Sequence, residues 1–156
     1  MNIRKRIAFA IYFINSLVTI IFGIAYLFCS TIMPYHQEAI KMNWGELSPS
    51  LQVLLQALIK MSAAGNFVTG LSILLLLFIP FRQGARWAHW AIPLFAIIWN
   101  GFGLYVMATV ATKTSASTPW PFTVLGIIAI IIAFILSPGF GKNHQEEPEN
   151  TREKRL

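Results

Sequence analysis

Apolar residues run along this chain in four long blocks, at residues 7–29, 51–79, 87–111 and 120–136, separated by short polar stretches. Each block is close to the ~20 residues that a helix needs to cross a bilayer. Within the blocks, small and polar residues recur at spacings of three and four. The first carries Tyr12, Ser16, Thr19, Gly23 and Tyr26, and the second Gln52, Gln56, Ile59, Ala63, Asn66, Gly70 and Ile73. The third carries His89, Pro93, Ala96, Asn100, Gly103 and Met107, and the fourth Gly126, Ala129 and Ala133. Lipid supplies no hydrophobic drive between helices, so small residues that allow close backbone approach, and polar ones that bond across, mark the packing faces. The pattern predicts an all-α fold: an antiparallel bundle of four transmembrane helices crossing left-handedly at about +20°.

The punctuation agrees with that division. Pro34 stops any continuation of the first helix, and residues 30–48 form a connector holding Tyr35, His36, Glu38, Lys41, Trp44 and Glu46. Ser48 and Pro49 suit an N-cap followed by proline at the first helical position, where a missing N–H costs nothing. The second helix then runs to Pro80, about 43 Å at helical rise, so it tilts or projects its first turns beyond the ~30 Å core; Gln52, Gln56 and Lys60 in those turns favour projection. Residues 81–86 make a tight turn with Gly84 as its flexible point, and residues 112–118 a polar loop. Trp87 and Trp90 suit one interfacial belt, Trp44 and Trp120 the other. Residues 1–140 make one membrane domain, and 141–156 a charged, disordered cytoplasmic tail.

Charge orients this arrangement. Nine of the twelve Lys and Arg residues (Arg4, Lys5, Arg6, Arg82, Arg86, Lys142, Arg152, Lys154 and Arg155) fall on segments that share one side, against Lys41, Lys60 and Lys113 on or near the other. By the positive-inside rule both termini are cytoplasmic, in a multi-pass protein of the cytoplasmic (inner) membrane. The +6 net charge thus sets topology and needs no nucleic acid partner. Arg4-Lys5-Arg6 imitates a signal-peptide n-region, but the apolar stretch after it is too long, so the segment reads as an uncleaved anchor.

Several chemistries are excluded. The six acids are Glu38 and Glu46 in the connector and Glu146, Glu147, Glu149 and Glu153 in the tail; no span holds the carboxylate that proton-coupled pumps usually need. Cys29 is the only cysteine, which rules out an internal disulfide and a thiol redox pair. His36 and His89 fall at opposite membrane faces, unable to share a haem or metal. Histidine boxes, a phosphate-binding Gly-rich loop and a Gly-x-Ser-x-Gly elbow are absent. No catalytic residue, metal or cofactor is therefore assigned.

Two groups of residues carry candidate roles. Tyr26, Tyr35, His36, Trp44, Gln52, Gln56 and Lys60 converge at the outer ends of the first two spans, where an amphiphile would find a polar floor under a loop lid. An ordinary interfacial loop, with Lys60 snorkelling to the head groups, accounts for the same residues. Asn66 and Asn100 lie at matched depth on consecutive helices, as an amide clamp or as a polar patch in a ligand cavity. Trp99, beside Asn100, either packs in the core or lines a cavity for an apolar ligand.

The segments Tyr35-His36, Leu47-Ser48-Pro49 and Pro80-Phe81-Arg82-Gln83-Gly84-Ala85-Arg86-Trp87-Ala88 resemble small, uncharacterised bacterial four-helix membrane proteins, and the general plan is similar to DoxX-type proteins. The resemblance implies a bacterial cytoplasmic membrane setting and carries over no site residues. The expectation is a non-enzymatic integral membrane protein, either an accessory subunit or a binder of a lipid-like molecule. Its partners would be membrane lipids and either another membrane protein or further copies of itself. A small oligomeric transporter is the alternative, and a membrane enzyme acting at the outer surface the third reading.

The charge asymmetry generates a topology test. Cysteine labelling from outside the cell should modify probes at positions 43 and 115 and leave one at position 84 protected; the reverse pattern would invert the assignment.

Overall fold

The computed structural model describes residues 2–137, and the predicted tail lies outside them. Helices α1 (Ile3–Phe28), α2 (Pro34–Ile40), α3 (Pro49–Leu76), α4 (Arg86–Lys113) and α5 (Trp120–Leu136) account for nearly all of that stretch, and among the described residues there is no strand. α1, α4 and α3 with its extension to Phe81 are long and apolar enough to cross a membrane. α5 is apolar but shorter, at 17 residues, or about 26 Å.

The connector expected between the first two spans is not a plain loop. Pro34 opens α2 at its first position, and a 3-10 turn follows at Trp44–Glu46. Lys41 ends α2 in the left-handed region at φ 54°, where its N–H still reaches the last carbonyls. Asn43 and Glu46 cap the 3-10 turn reciprocally. Ser48 and Pro49 start α3 as expected, although the Ser48 hydroxyl pairs with Ser50 at 3.3 Å and does not cap the helix.

Pro80 does not end the second long helix either. Its ring would clash with the carbonyl four residues back in a regular α-helix, and it has no N–H to donate. The chain answers with a π-turn over Leu77–Phe81, and the Ala85 N–H reaches the Pro80 carbonyl at 2.9 Å. Gly84 then reverses the chain at φ 83°.

α1 packs most extensively on α3 and also on α5; α4 packs on α5, and of these four seams the α3–α4 one is the sparsest. Glycines govern the α1–α3 seam. A Cβ at Gly23 would stand 2.8 Å from the Phe67 backbone nitrogen, and one at Gly70 2.9 Å from the Ser16 carbonyl oxygen. Both positions lie on the stripes read from the sequence, and Tyr12, Ser16, Gly23, Ala63, Gly70, Ile73, His89, Pro93, Ala96 and Ala133 from those stripes are buried.

The core is densest at the end that holds the 81–86 turn. There Ala8, Tyr12, Ile73, Leu77, Phe81, Ile92 and Ile130 form one cluster. Phe9 and Phe13 meet Phe78 edge-on at 5.4 and 5.9 Å, a favoured aromatic geometry. The Lys5 ammonium sits 5.1 Å above the Phe81 ring. Tyr12 is only 1% exposed, and its hydroxyl has no hydrogen-bond partner. The outer surface is the reverse of a water-soluble protein's: Phe28, Phe102, Tyr105, Phe122 and Ile135 are each well exposed. So continuous an apolar surface requires an apolar surrounding, and with the three long helices it marks a membrane protein.

Two substitutions separate these contributions. Gly23→Val drives a side chain into the α3 backbone and should cost at least ~1–3 kcal/mol, the usual range for overpacking. Tyr12→Phe removes a polar atom that has lost its water without gaining a partner, so stability in detergent should be unchanged or rise by up to ~1 kcal/mol. Thermal unfolding of the two variants measures both effects, and a destabilised Tyr12→Phe would reveal a partner for the hydroxyl.

Candidate functional site

Most of the residues anticipated at the outer end do meet, but their polar groups serve the fold. The Gln52 amide donates to the Trp44 carbonyl at 2.8 Å and to Leu47 at 3.3 Å. Gln56 donates to the Ser30 carbonyl. Gln37 accepts from the Trp44 N–H at 3.1 Å and donates to Ile32 at 3.4 Å. The hydroxyls of Tyr26 and Tyr35 lie 3.4 Å apart. The connector is thus fastened onto the first turns of α3, and Ile32 and Leu47 are buried beneath it. Lys60 stands outside this group, exposed on α3.

Glu38 and Glu46 are also engaged. Glu46 accepts from the Asn43 backbone N–H at 2.8 Å and from its side chain at 3.1 Å, and these bonds, the backbone one first, hold its carboxyl below the usual range. Glu38 accepts from the Ser117 N–H at 3.1 Å, joining the connector to the α4–α5 loop. His36 rests against Tyr35 with ring centres 4.1 Å apart, and burial lowers its pKa. Burial also raises that of Tyr35, helped by the Tyr26 hydroxyl. No hydrogen bond joins His36 to Glu38; their contacts are with Tyr35 and Ser117 respectively.

A shallow hollow of about 370 Å³ lies on the outside of this cap, lined by Pro34, Gln37, Glu38, Lys41, Met42 and Asn43. None of Tyr26, Tyr35, His36, Trp44, Gln52, Gln56 and Lys60 lines it. At the opposite end, the His89 ring is buried and its Nδ1 lies 2.8 Å from the Ser137 hydroxyl. Phe134 stacks on that ring at 4.8 Å, so the histidine ties the start of α4 to the end of α5. Among the described residues no group of His, Cys, Asp and Glu could hold a metal ion.

The two asparagines do not clamp each other. Asn66 donates to its own helix at Ser62 and accepts from the Trp99 indole N–H at 3.0 Å. Asn100 donates to Ala96 at 2.8 Å and faces Gly126, whose added Cβ would lie 3.8 Å from the Asn100 amide oxygen and 3.6 Å from the Asn15 amide nitrogen. Depth matched the two residues, but successive residues on a helix point ~100° apart. Trp99 faces α3, and Asn100 is turned toward α5 and α1. Gly65 makes the Trp99 contact possible, because a Cβ there would stand 2.4 Å from the indole ring.

Below this Trp99–Asn66 bond, α3 and α4 part around a cleft of about 830 Å³. Val68, Thr69, Ser72, Leu75, Leu76, Ile79, Pro80 and Gln83 line it from α3 and the turn, and Ala85, Trp87, Phe95, Ile98 and Trp99 from the other side. Val68, Leu75, Ile79, Trp87, Phe95 and Ile98 are exposed, so the cleft opens onto the apolar outer surface. Trp99 packs on Gly65 and lines this cleft. Thr69, Ser72, Pro80 and Gln83 were not anticipated; the signals were the proline in a helical block and the small Ala64-Gly65 pair opposite a tryptophan.

No family model, curated protein or solved structure matches this chain. What it does has to be read from its own geometry.

A double-mutant cycle tests the corrected pairing. Asn66→Leu and Trp99→Phe should each lower stability in detergent and couple by ~0.6 kcal/mol. Asn66→Leu and Asn100→Leu should be additive, and coupling between those two would restore the amide clamp.

Proposed function

We propose that this protein is a four-span integral membrane protein of the cytoplasmic membrane, both termini inside, that holds a lipid-like amphiphile in the α3–α4 cleft without chemical change. The observation that carries this reading is the cleft. Its volume lies within the ~300–1,000 Å³ of ordinary ligand sites, its wall is mostly apolar and aromatic, and it opens onto the surface that would face lipid. Thr69, Ser72 and Gln83 supply the few polar groups such sites use for orientation.

The competing readings lack their required geometry. A transporter of the kind anticipated needs Gln52, Gln56, Asn66 and Asn100 along one path, but the glutamines bind connector carbonyls and the asparagines turn to different neighbours. An enzyme at the outer surface needs His36 and Glu38 to converge, and Glu38 is directed to Ser117.

Native mass spectrometry of the protein purified in mild detergent should find a retained lipid or other amphiphile. A Thr69→Phe/Ser72→Phe variant, which fills the cleft, should lose it while keeping the wild-type elution volume and melting temperature. Wild-type protein with no bound amphiphile above the background of detergent exchange would overturn the proposal.

A further inference from the structure

We infer that the occupant of the cleft is an anionic phospholipid, with its phosphate at the 81–86 turn and an acyl chain lying between α3 and α4 toward Trp99. This rests on the reading that the cleft holds an amphiphile, and it names the class. Three observations converge on it.

The first is polarity along the cleft. At the turn it is lined by Gln83, Ala85 and Trp87, with two arginines in the same turn, and at its far end by Val68, Phe95, Ile98 and Trp99 with only the small hydroxyls of Thr69 and Ser72 among them. The Trp99–Asn66 hydrogen bond crosses from α4 to α3 beyond that end, so the cleft is closed there and open along its side to the apolar outer surface. An amphiphile entering from that side would place its head at the turn, beside the charged groups.

The second is length. Val68 and Pro80 are twelve residues apart on α3, about 18 Å at helical rise. Half of a ~30 Å hydrocarbon core is about 15 Å. The slot therefore spans one leaflet, the depth a phospholipid chain occupies when its head group is at the interface. A planar ring compound has no need of that length.

The third is charge. Arg82 and Arg86 flank Gln83 and Ala85 in the same turn, and both are exposed. The sequence has no acid between Glu46 and Glu146, and among the described residues no carboxylate pairs with either arginine. Glu38 and Glu46 sit at the opposite end of α3, each held by backbone N–H groups there. Lys5, the other nearby cation, is set over the Phe81 ring. Among the described residues no carboxylate occupies the two guanidinium groups, and their planar forks suit phosphate oxygens. Basic pockets between membrane helices bind anionic head groups for this reason. The Gln83 amide, in the cleft wall between the two arginines, adds a neutral donor.

The test uses the full-length protein in nanodiscs containing equal parts of phosphatidylglycerol and phosphatidylcholine with the same acyl chains. After detergent extraction, native mass spectrometry counts the lipids still bound. Wild type should retain phosphatidylglycerol over phosphatidylcholine by roughly tenfold. Arg82→Gln/Arg86→Gln should bring that ratio to about one while lipid of both kinds is still retained. Arg4→Gln/Arg6→Gln, which removes the same charge from the same side, should leave the ratio as in wild type. Thr69→Phe/Ser72→Phe should release both lipids. Equal retention of the two by wild type would overturn the anionic assignment and leave the cleft as an amphiphile site, and so would an equal loss of preference in the Arg4/Arg6 variant, which would mean diffuse surface charge. Retention of neither lipid by wild type would take down the underlying reading as well.

Discussion

Everything else in the fold depends on how closely α1 approaches α3. In a hydrocarbon medium, burying leucine against leucine gains little, because lipid tails offer the same surroundings. What holds two helices is dispersion at true contact distance, and that attraction falls away within an ångström. Gly23 and Gly70 set that distance from opposite sides, each occupying a place where a methyl group would meet the other helix's backbone. Once α1 is fixed to α3, its remaining face receives α5, and α4 is placed by α5 more than by α3. His89, stacked on Phe134 and bonded to Ser137, locks α4 to α5 at the basic end. The opening between α3 and α4 follows from this order of attachment. Trp99 seats on Gly65 at one level, and below it Phe95, Ile98 and Trp87 line the gap and are exposed.

The end that carries the connector solves a different problem. A connector that lies over the ends of membrane helices must satisfy its carbonyls without regular structure. Gln52 and Gln56 do this from the first turns of α3, where their amides donate to carbonyls of the connector. Glu38 and Glu46 use their charge to bind backbone N–H groups of the two loops. What looked in the sequence like a constellation of acid, base and amide is a set of clips, and its polar capacity is largely consumed.

This contrast explains what could be read from the chain and what could not. Long helices and their packing faces were legible because a three-and-four spacing survives over twenty residues, and Gly23, Ala63, Gly70 and Ala96 all fell on the buried side. The seven residues of α2 are too few for any periodicity to emerge, so Pro34 read as a stop when it is a start. Pro80 read as an end because a π-turn leaves no mark in sequence beyond the proline it accommodates. Asn66 and Asn100 were paired by depth, which the sequence gives, without azimuth, which depends on how α4 is rolled against α5. The cleft was least legible of all. It is a place where two helices fail to touch, and residue pattern records contacts better than gaps.

Pro80 links the two ends of that gap. A regular α-helix through this position would set the proline ring against the Leu76 carbonyl; widening the turn by one residue relieves the clash. Leu77 and Phe81 still reach the core, where both are buried, while Ile79 and Pro80 remain on the cleft side. The turn that follows brings Gln83 into the cleft wall, and the left-handed Gly84 sends the chain into α4. Replacing the proline alone would not close the cleft, because α4 is positioned by α5 more than by α3. The arrangement is held from both sides, and so it persists although α3 and α4 hardly meet.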